Sequence, residues 1–336
     1  MTSAQRWTLA QRPAGVPAAS DFALVAEPVE TPGDGQILIG VSHISVDPGM
    51  RSRLSQDSYA PALQTGETIE SAGVGTVLAS RHPKFKGGDI VTGGFGWRTH
   101  LLSDGRGVMT LDPALFSGVV TPTAAIGVLG VPGLTAYFGL IDVGGAKAHQ
   151  TLLVSSGAGP VGATAGQIGR ILGMHVIGIS THTEKCGYML SELGFDKAIR
   201  DARGSHLELS IRDAAPQGVD VYFDNVGGRT LDAAILNMKP HGRIVVSGQV
   251  SEYNRAEPRG IRHVSPFITK RLRMEGLVVY DFRARFAEAQ AQLAQWIQDG
   301  RLSYREEIID GFENAPAAFI GLFTGENFGR RLVRIA

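Results

Sequence analysis

Cysteine is almost absent from this 336-residue chain, where only Cys186 occurs. A lone thiol excludes an internal disulfide framework and any Cys-rich structural zinc site, and it fits a reducing compartment. An excess of either charge is also missing, since Lys and Arg number 32 and Asp and Glu number 32. That balance gives no electrostatic footprint for a nucleic acid or an anionic membrane, so neither is expected as a partner. The nine histidines show no His-Glu-x-x-His or comparable ligand spacing, and no protein-held catalytic metal is expected. The opening Met1-Thr-Ser-Ala-Gln-Arg-Trp-Thr-Leu-Ala-Gln-Arg-Pro13 lacks the apolar core of a signal peptide, so the expected location is cytoplasmic. One run, Pro113 to Ile141, carries no charge over 29 residues and could span a membrane on length alone. Pro113, Pro122 and Pro132 and five glycines punctuate it, which fits short buried helices joined by turns.

With 43% hydrophobic and 19% charged residues, the chain reads as a globular protein long enough for two cores. Residues 1 to about 110 carry short apolar runs such as Gln36–Val41 and Asp89–Thr92, bounded by Pro32-Gly-Asp-Gly35 and Lys86-Gly-Gly-Asp89. This is the texture of a β-rich domain. From Gln150 the pattern changes to apolar runs at Thr151–Val154, His175–Ile179, Val219–Phe223 and Ile244–Ser247, separated by helical stretches. Within Val161–Gly173, the residues Val161, Ala165, Ile168 and Leu172 repeat at helical spacing, and Phe286–Gly300 reads as a further helix. Continuous apolar strands alternating with helices predict a doubly wound parallel sheet of the Rossmann type.

The first of these strands runs into Ser155-Ser-Gly-Ala-Gly-Pro-Val-Gly162, where Gly157, Gly159 and Gly162 have the spacing Gly-x-Gly-x-x-Gly. The first glycine permits a tight turn, the second a close approach of backbone amides to a pyrophosphate, and the third close packing of helix on strand. Phosphates are then expected at the helix N-terminus. An NAD site usually has Asp or Glu at the end of the second strand. Here Ser180, Thr181 and His182 stand there, and Lys185 follows. A cation in the first turn opposes the helix dipole, but it would suit the 2′-phosphate of NADP(H). The alternative is a solvated lysine behind a capping box formed by Thr181 and Glu184.

Asp47-Pro-Gly-Met-Arg51, Ser58-Tyr-Ala-Pro61, Gly133-Leu-Thr-Ala-Tyr-Phe-Gly139, Glu184-Lys-Cys186, Asp220-Val-Tyr-Phe-Asp-Asn-Val-Gly-Gly228, Val250-Ser-Glu-Tyr-Asn254 and Asn327-Phe-Gly329 occur in that order. Together they resemble the zinc-independent medium-chain dehydrogenase/reductases, in the branch of leukotriene hydroxydehydrogenase/prostaglandin reductase and alkenal double-bond reductase. The resemblance implies a GroES-like substrate domain over 1–125, a Rossmann NADP-binding domain over 126–305, a C-terminal return over 306–336 and a homodimer. It implies pyrophosphate contacts from Gly159, Pro160, Val161 and Gly162, and a 2′-phosphate contact from Lys185. Asn225 would lie beside the adenosine end. Gly248, Tyr253, Leu277 and Val279 would flank the nicotinamide, and Asn327 would close the site.

Two positions depart from that family. Its usual tyrosine near the 2′-phosphate is replaced by Asp201, preceded by Arg200. An aspartate facing a phosphate is repulsive, so either Arg200 compensates or the preference for NADP is softened. Its Asp-Pro-Tyr-Met-Arg has lost the aromatic to Gly49, which leaves room for a bulkier substrate, with Tyr59 a further pocket candidate or simply a packed loop aromatic.

Lacking a metal to polarise a carbonyl, such an enzyme is expected to reduce the C=C bond of an enal or enone. Hydride goes to the β-carbon, and an enolate forms that needs a hydrogen-bond donor. Tyr253 is the candidate donor, because a phenol ionises only near about 10. It could equally fix the ribose hydroxyl, or be a loop tyrosine that only packs. A quinone reductase of the same fold and a non-catalytic NADPH-binding protein are the alternatives.

Overall fold

Strand Ile37–Ser45 buries Ile37, Ile39 and Val41 in alternation, as a strand with one packed face must. A register irregularity between Val41 and His43 then changes the phase and turns Ile44 and Ser45 inward. In the computed structural model, which describes residues 3–58, 60–202 and 204–335, this strand organises a seven-stranded sheet. Its order is Glu306–Asp310, Arg330–Arg334, Ile37–Ser45, Gly73–Ser80, Ile90–Gly93 and Met109–Thr110, with His100–Ser103 also paired to Ile37–Ser45. The core holds Phe22, Trp97 and Phe319 in mutual ring contact, with Phe22 and Trp97 stacked at 5.6 Å. Trp97 is fully buried, and its indole N–H donates to the Ser45 carbonyl at 3.2 Å, so the polar edge of the ring is satisfied.

The chain divides into two compact units. The β-rich unit comprises Met1–Ile126, Glu306–Asn327 and Arg331–Ala336, and the second comprises Gly127–Arg305 with Phe328–Arg330. Phe328 is held within the second unit by an edge contact with Tyr188 at 4.9 Å and by Arg305 over its ring at 4.1 Å.

The second unit is built on β1 (Thr151–Ser155), α1 (Pro160–Ile171), β2 (His175–Ser180), α2 (Thr183–Ser191), β3 (Lys197–Arg200), α3 (Leu207–Ala214), β4 (Val219–Asp224), α4 (Gly228–Asn237), β5 (Met238–Val246) and β6 (Arg273–Gly276). The strands are parallel in the order β3-β2-β1-β4-β5-β6. That is the doubly wound Rossmann order, with its switch point between β1 and β4. The predicted apolar runs are its four inner strands, β1, β2, β4 and β5. The uncharged run 113–141 folds as a 3-10 turn at Pro122–Ile126, an α-helix at Val131–Phe138 and a π turn at Gly139–Val143. Gly133 is required within it, because a Cβ there would stand 1.7 Å from the Val128 carbonyl oxygen. Among the described residues no helix is long and apolar enough to cross a membrane.

Candidate cofactor site at the carboxyl edge of the parallel sheet

Because all six strands run the same way, Ser155, Ser180, Arg200, Asp224, Val246 and Gly276 end along one edge. Ligands of doubly wound sheets bind outside that edge. Every site residue expected in this unit follows one of those strand ends.

At β1 the glycine loop has the geometry its sequence requires. A Cβ on Gly162 would lie 2.2 Å from the Ser156 carbonyl oxygen, so only glycine lets α1 start this close to the loop. Gly159 is the N-cap, and no side chain caps the helix. Pro160 has no N–H to satisfy, and the first turn contains no acid. The helix therefore presents backbone donors and the positive end of its dipole to an anion. A Cβ on Gly159 would touch only Ser156, with the hydroxyl Oγ at 3.0 Å, so this glycine keeps a face open rather than filling a contact. These features fit a pyrophosphate.

At β2 the alternative reading, a capping box from Thr181 and Glu184, does not form. His182, not Thr181, is the N-cap of α2, without a side-chain cap bond, and Thr181 Oγ1 instead lies 2.9 Å from His182 Nδ1. Lys185 is half-buried in the first turn of α2. Burial pushes the thiol pKa of neighbouring Cys186 up, opposed by Arg200, which suits an inert thiol rather than a nucleophile. Asp201 follows β3, and its N–H donates to the Ser180 carbonyl at 2.8 Å. Its carboxylate pairs with Arg229 and accepts from Ser205 Oγ at 2.9 Å. The cation that compensates Asp201 is therefore Arg229 rather than Arg200.

Asn225 serves a purpose that the resemblance did not imply. Its Nδ2 donates to the Ser155 carbonyl at 2.8 Å and its N–H to Ser155 Oγ at 2.9 Å, strapping the end of β4 to the end of β1. Beside it lies a residue that the sequence reading missed. Asp224 is fully buried, and its Oδ1 accepts from Tyr222 Oη at 2.7 Å, Ser155 Oγ at 3.2 Å, Val226 N at 3.0 Å and Gly227 N at 2.9 Å. Its backbone carbonyl accepts from Ser247 and Gly248. Among the described residues its Oδ2 has no partner. Burial raises the Asp224 carboxyl pKa, opposed by these hydrogen bonds. Burial also raises that of Tyr222, followed by the nearby Asp224 charge, and keeps the phenol a donor. A sequence signal exists, since a carboxylate directly follows the apolar stretch Val221-Tyr-Phe223.

The loops after β4 and β5 are sewn together. Val250 N donates to the Asn225 carbonyl at 3.3 Å, and Ser251 donates to the Val226 carbonyl through N–H and hydroxyl at 3.0 and 2.8 Å. Tyr253 is half-buried here, and its hydroxyl accepts from Gln249 N at 3.2 Å. A Cβ on Gly248 would lie 3.3 Å from both that hydroxyl and the Asn225 carbonyl oxygen. Leu277 N donates to the Val246 carbonyl at 3.0 Å, and Val279 is buried just beyond. Along the edge, Lys185 and Asp201 thus come first, then Gly159–Gly162, Asn225, Gly248 with Tyr253, and Leu277 with Val279.

Gly49 and Asn327 belong to the β-rich unit. A Cβ on Gly49 would meet nothing within 4 Å, and the adjacent Met50 lines a shallow surface recess with Leu54, Leu63 and Ile69. Tyr59 lies outside the described residues.

Residues 5–111 match a family described as the N-terminal domain of oxidoreductase, and residues 160–296 one described as zinc-binding dehydrogenase. Among the described residues, no three His, Cys, Asp or Glu side chains gather where they could hold a metal ion. The chain is 40% identical to the NADPH-dependent curcumin reductase of Escherichia coli (strain K12), covering 99% of this chain and 97% of that protein. It is 36% identical to the 2-alkenal reductase (NADP(+)-dependent) of Nicotiana tabacum, over 90% and 88% of the two chains. The crystal structure of CurA in complex with NADPH from Vibrio vulnificus superposes with a TM-score of 0.92 at 37% identity, covering 99% of each chain. With that likeness running through both units, the chain belongs to the zinc-independent medium-chain dehydrogenase/reductases.

Proposed function

We propose that this protein is an NADPH-dependent reductase of the C=C bond of α,β-unsaturated aldehydes or ketones, working without a metal. The observation that carries the cofactor is the order of side chains along the carboxyl edge. A cation-bearing end, an uncapped glycine helix start and a tyrosine loop follow one another in the sequence that an extended dinucleotide needs. The substrate class comes from the relatives' names, 2-alkenal and curcumin reductase, at 36% and 40% identity.

NADPH held there would supply the hydride for the β-carbon of the substrate, whose carbonyl oxygen would then carry the enolate charge. The protein's part is placement and electrostatics. The first-turn N–H groups of α1 would hold the pyrophosphate, and Lys185 would take the 2′-phosphate. The Asp224 knot fixes the two loops that carry Asn225, Gly248 and Tyr253. Tyr253, its oxygen oriented by Gln249 N–H, acts as the polar group by the nicotinamide ribose and the enolate oxygen. Leu277 and Val279 supply apolar wall, and Gly49 and Asn327 remain candidates from the β-rich unit. The reading includes a homodimer, taken from the family resemblance, and a cytoplasmic setting, in keeping with the lone cysteine.

NADPH oxidation measured with an enone, its saturated ketone and a quinone tests the proposal. Turnover with the enone, giving the saturated ketone, is expected. Activity confined to the quinone, or NADPH binding without turnover of any acceptor, contradicts it.

A further inference from the structure

The aspartate that stands where a 2′-phosphate should be repelled is not free to repel it. The Asp201 side chain is only 12% exposed, whereas that of its partner Arg229 is 43% exposed. Arg229 lies in the first turn of α4 and also donates through Nη1 to the Ser205 carbonyl at 2.9 Å. Asp201 and Ser205 thus grip one side of the guanidinium and leave the rest of it outward. An arginine has five N–H donors. Two are used here, and among the described residues no acceptor engages the other three. Asp201 N bonds the carbonyl of Ser180, the last residue of β2, which places this pair at the strand end where dinucleotide sites read the ribose 2′ position. Among the described residues, further charged groups near this corner include Lys185 and Glu184 in the first turn of α2, Arg200 at the end of β3, and Glu252, which lies against Gly228 and pairs with Arg255.

We propose that Arg229 is a specificity residue that binds the 2′-phosphate of NADP(H), with Asp201 and the Ser205 carbonyl as its positioning groups. This rests on the NADPH reading above and supplies it with a ligand that Lys185 alone does not give. A planar guanidinium offers paired donors to phosphate oxygens, and preorganisation by Asp201 lowers the entropy lost on binding. An exposed aspartate at the same place would instead accept the ribose 2′-hydroxyl and favour NAD.

Equilibrium titration separates these cases without relying on turnover. The probes are adenosine 2′,5′-bisphosphate and adenosine 5′-monophosphate, measured against wild type, Arg229→Gln and Arg229→Lys. Thermal melting confirms that each variant is folded. Arg229→Gln is expected to weaken the bisphosphate on the order of 10- to 100-fold and the monophosphate less than about threefold, the size expected for a lost charge-assisted pair. Arg229→Lys should recover part of the loss. Equal losses for the two probes, or no loss, would overturn the role of Arg229. Failure of the underlying NADPH reading looks different: wild type itself would then bind both probes equally.

Discussion

Gly162→Ala is expected to destabilise the protein and to weaken NADPH together, whereas Gly159→Ala should weaken NADPH alone. At position 162 the new methyl would overlap the Ser156 carbonyl oxygen at 2.2 Å and the Ser156 carbonyl carbon at 2.9 Å. Both are backbone atoms, so α1 must move off the loop. Overpacking of this kind costs about 1–3 kcal/mol, and a misplacement near 1 Å lowers the efficiency of a positioned site on the order of 100-fold. At position 159 the backbone (φ −78°, ψ 168°) is open to any residue, and the nearest atom to a new methyl is a rotatable hydroxyl. Stability should therefore change by less than about 0.5 kcal/mol, while the methyl covers the face that the pyrophosphate approaches. Thermal melts beside NADPH titrations check the pair. A Gly162→Ala protein with wild-type melting and affinity would remove the cradle from the account.

The second large effect belongs to Asp224. Removing its carboxylate in Asp224→Ala strips the acceptor from four donors around a fully buried site. Each buried donor left without an acceptor costs about 1–3 kcal/mol, so a loss on the order of 3–5 kcal/mol is expected after partial relaxation. Asp224→Asn keeps one acceptor oxygen and should cost less. The two forms also differ in pH dependence. Burial raises the folded-state pKa of Asp224 above its ordinary 3.8, so between the two values the native state binds more protons than the unfolded chain. By linkage, its contribution makes wild-type stability fall as pH rises from about 3.8 through the raised pKa. Asp224→Asn lacks that fall, so its deficit relative to wild type should be largest at acid pH and shrink toward neutrality. Denaturant unfolding at a series of pH values measures this, and a deficit that grows with pH would contradict the assignment.

How far the sequence reveals this molecule depends on whether each constraint is local. The inner strands are legible because both faces of the sheet are covered and their central side chains are mostly apolar, as in Leu152–Val154 and Val221–Phe223. The edge strands Lys197–Arg200 and Arg273–Gly276 carry no such run, because only Ile199 is buried in the first and no residue in the second. They emerge only once β2 and β5 are there to pair with. Gly162 is legible because its demand is set by a loop six residues away. Arg229 is not, because Asp201 lies 28 residues earlier and meets it only through the turn that brings α4 to the end of β3. The family resemblance puts Asn225 at the adenosine end, but the contact that fixes its side chain is the strap to Ser155, 70 residues back. The capping box fails for a nearer reason, since α2 begins one residue later than Thr181 requires.

NADPH dideuterated at C4, with an enone as acceptor, shows whether hydride goes to the carbon β to the carbonyl. The product should be the saturated ketone with deuterium on the β-carbon and a solvent-derived proton on the α-carbon. An allylic alcohol carrying deuterium on the former carbonyl carbon would contradict the account.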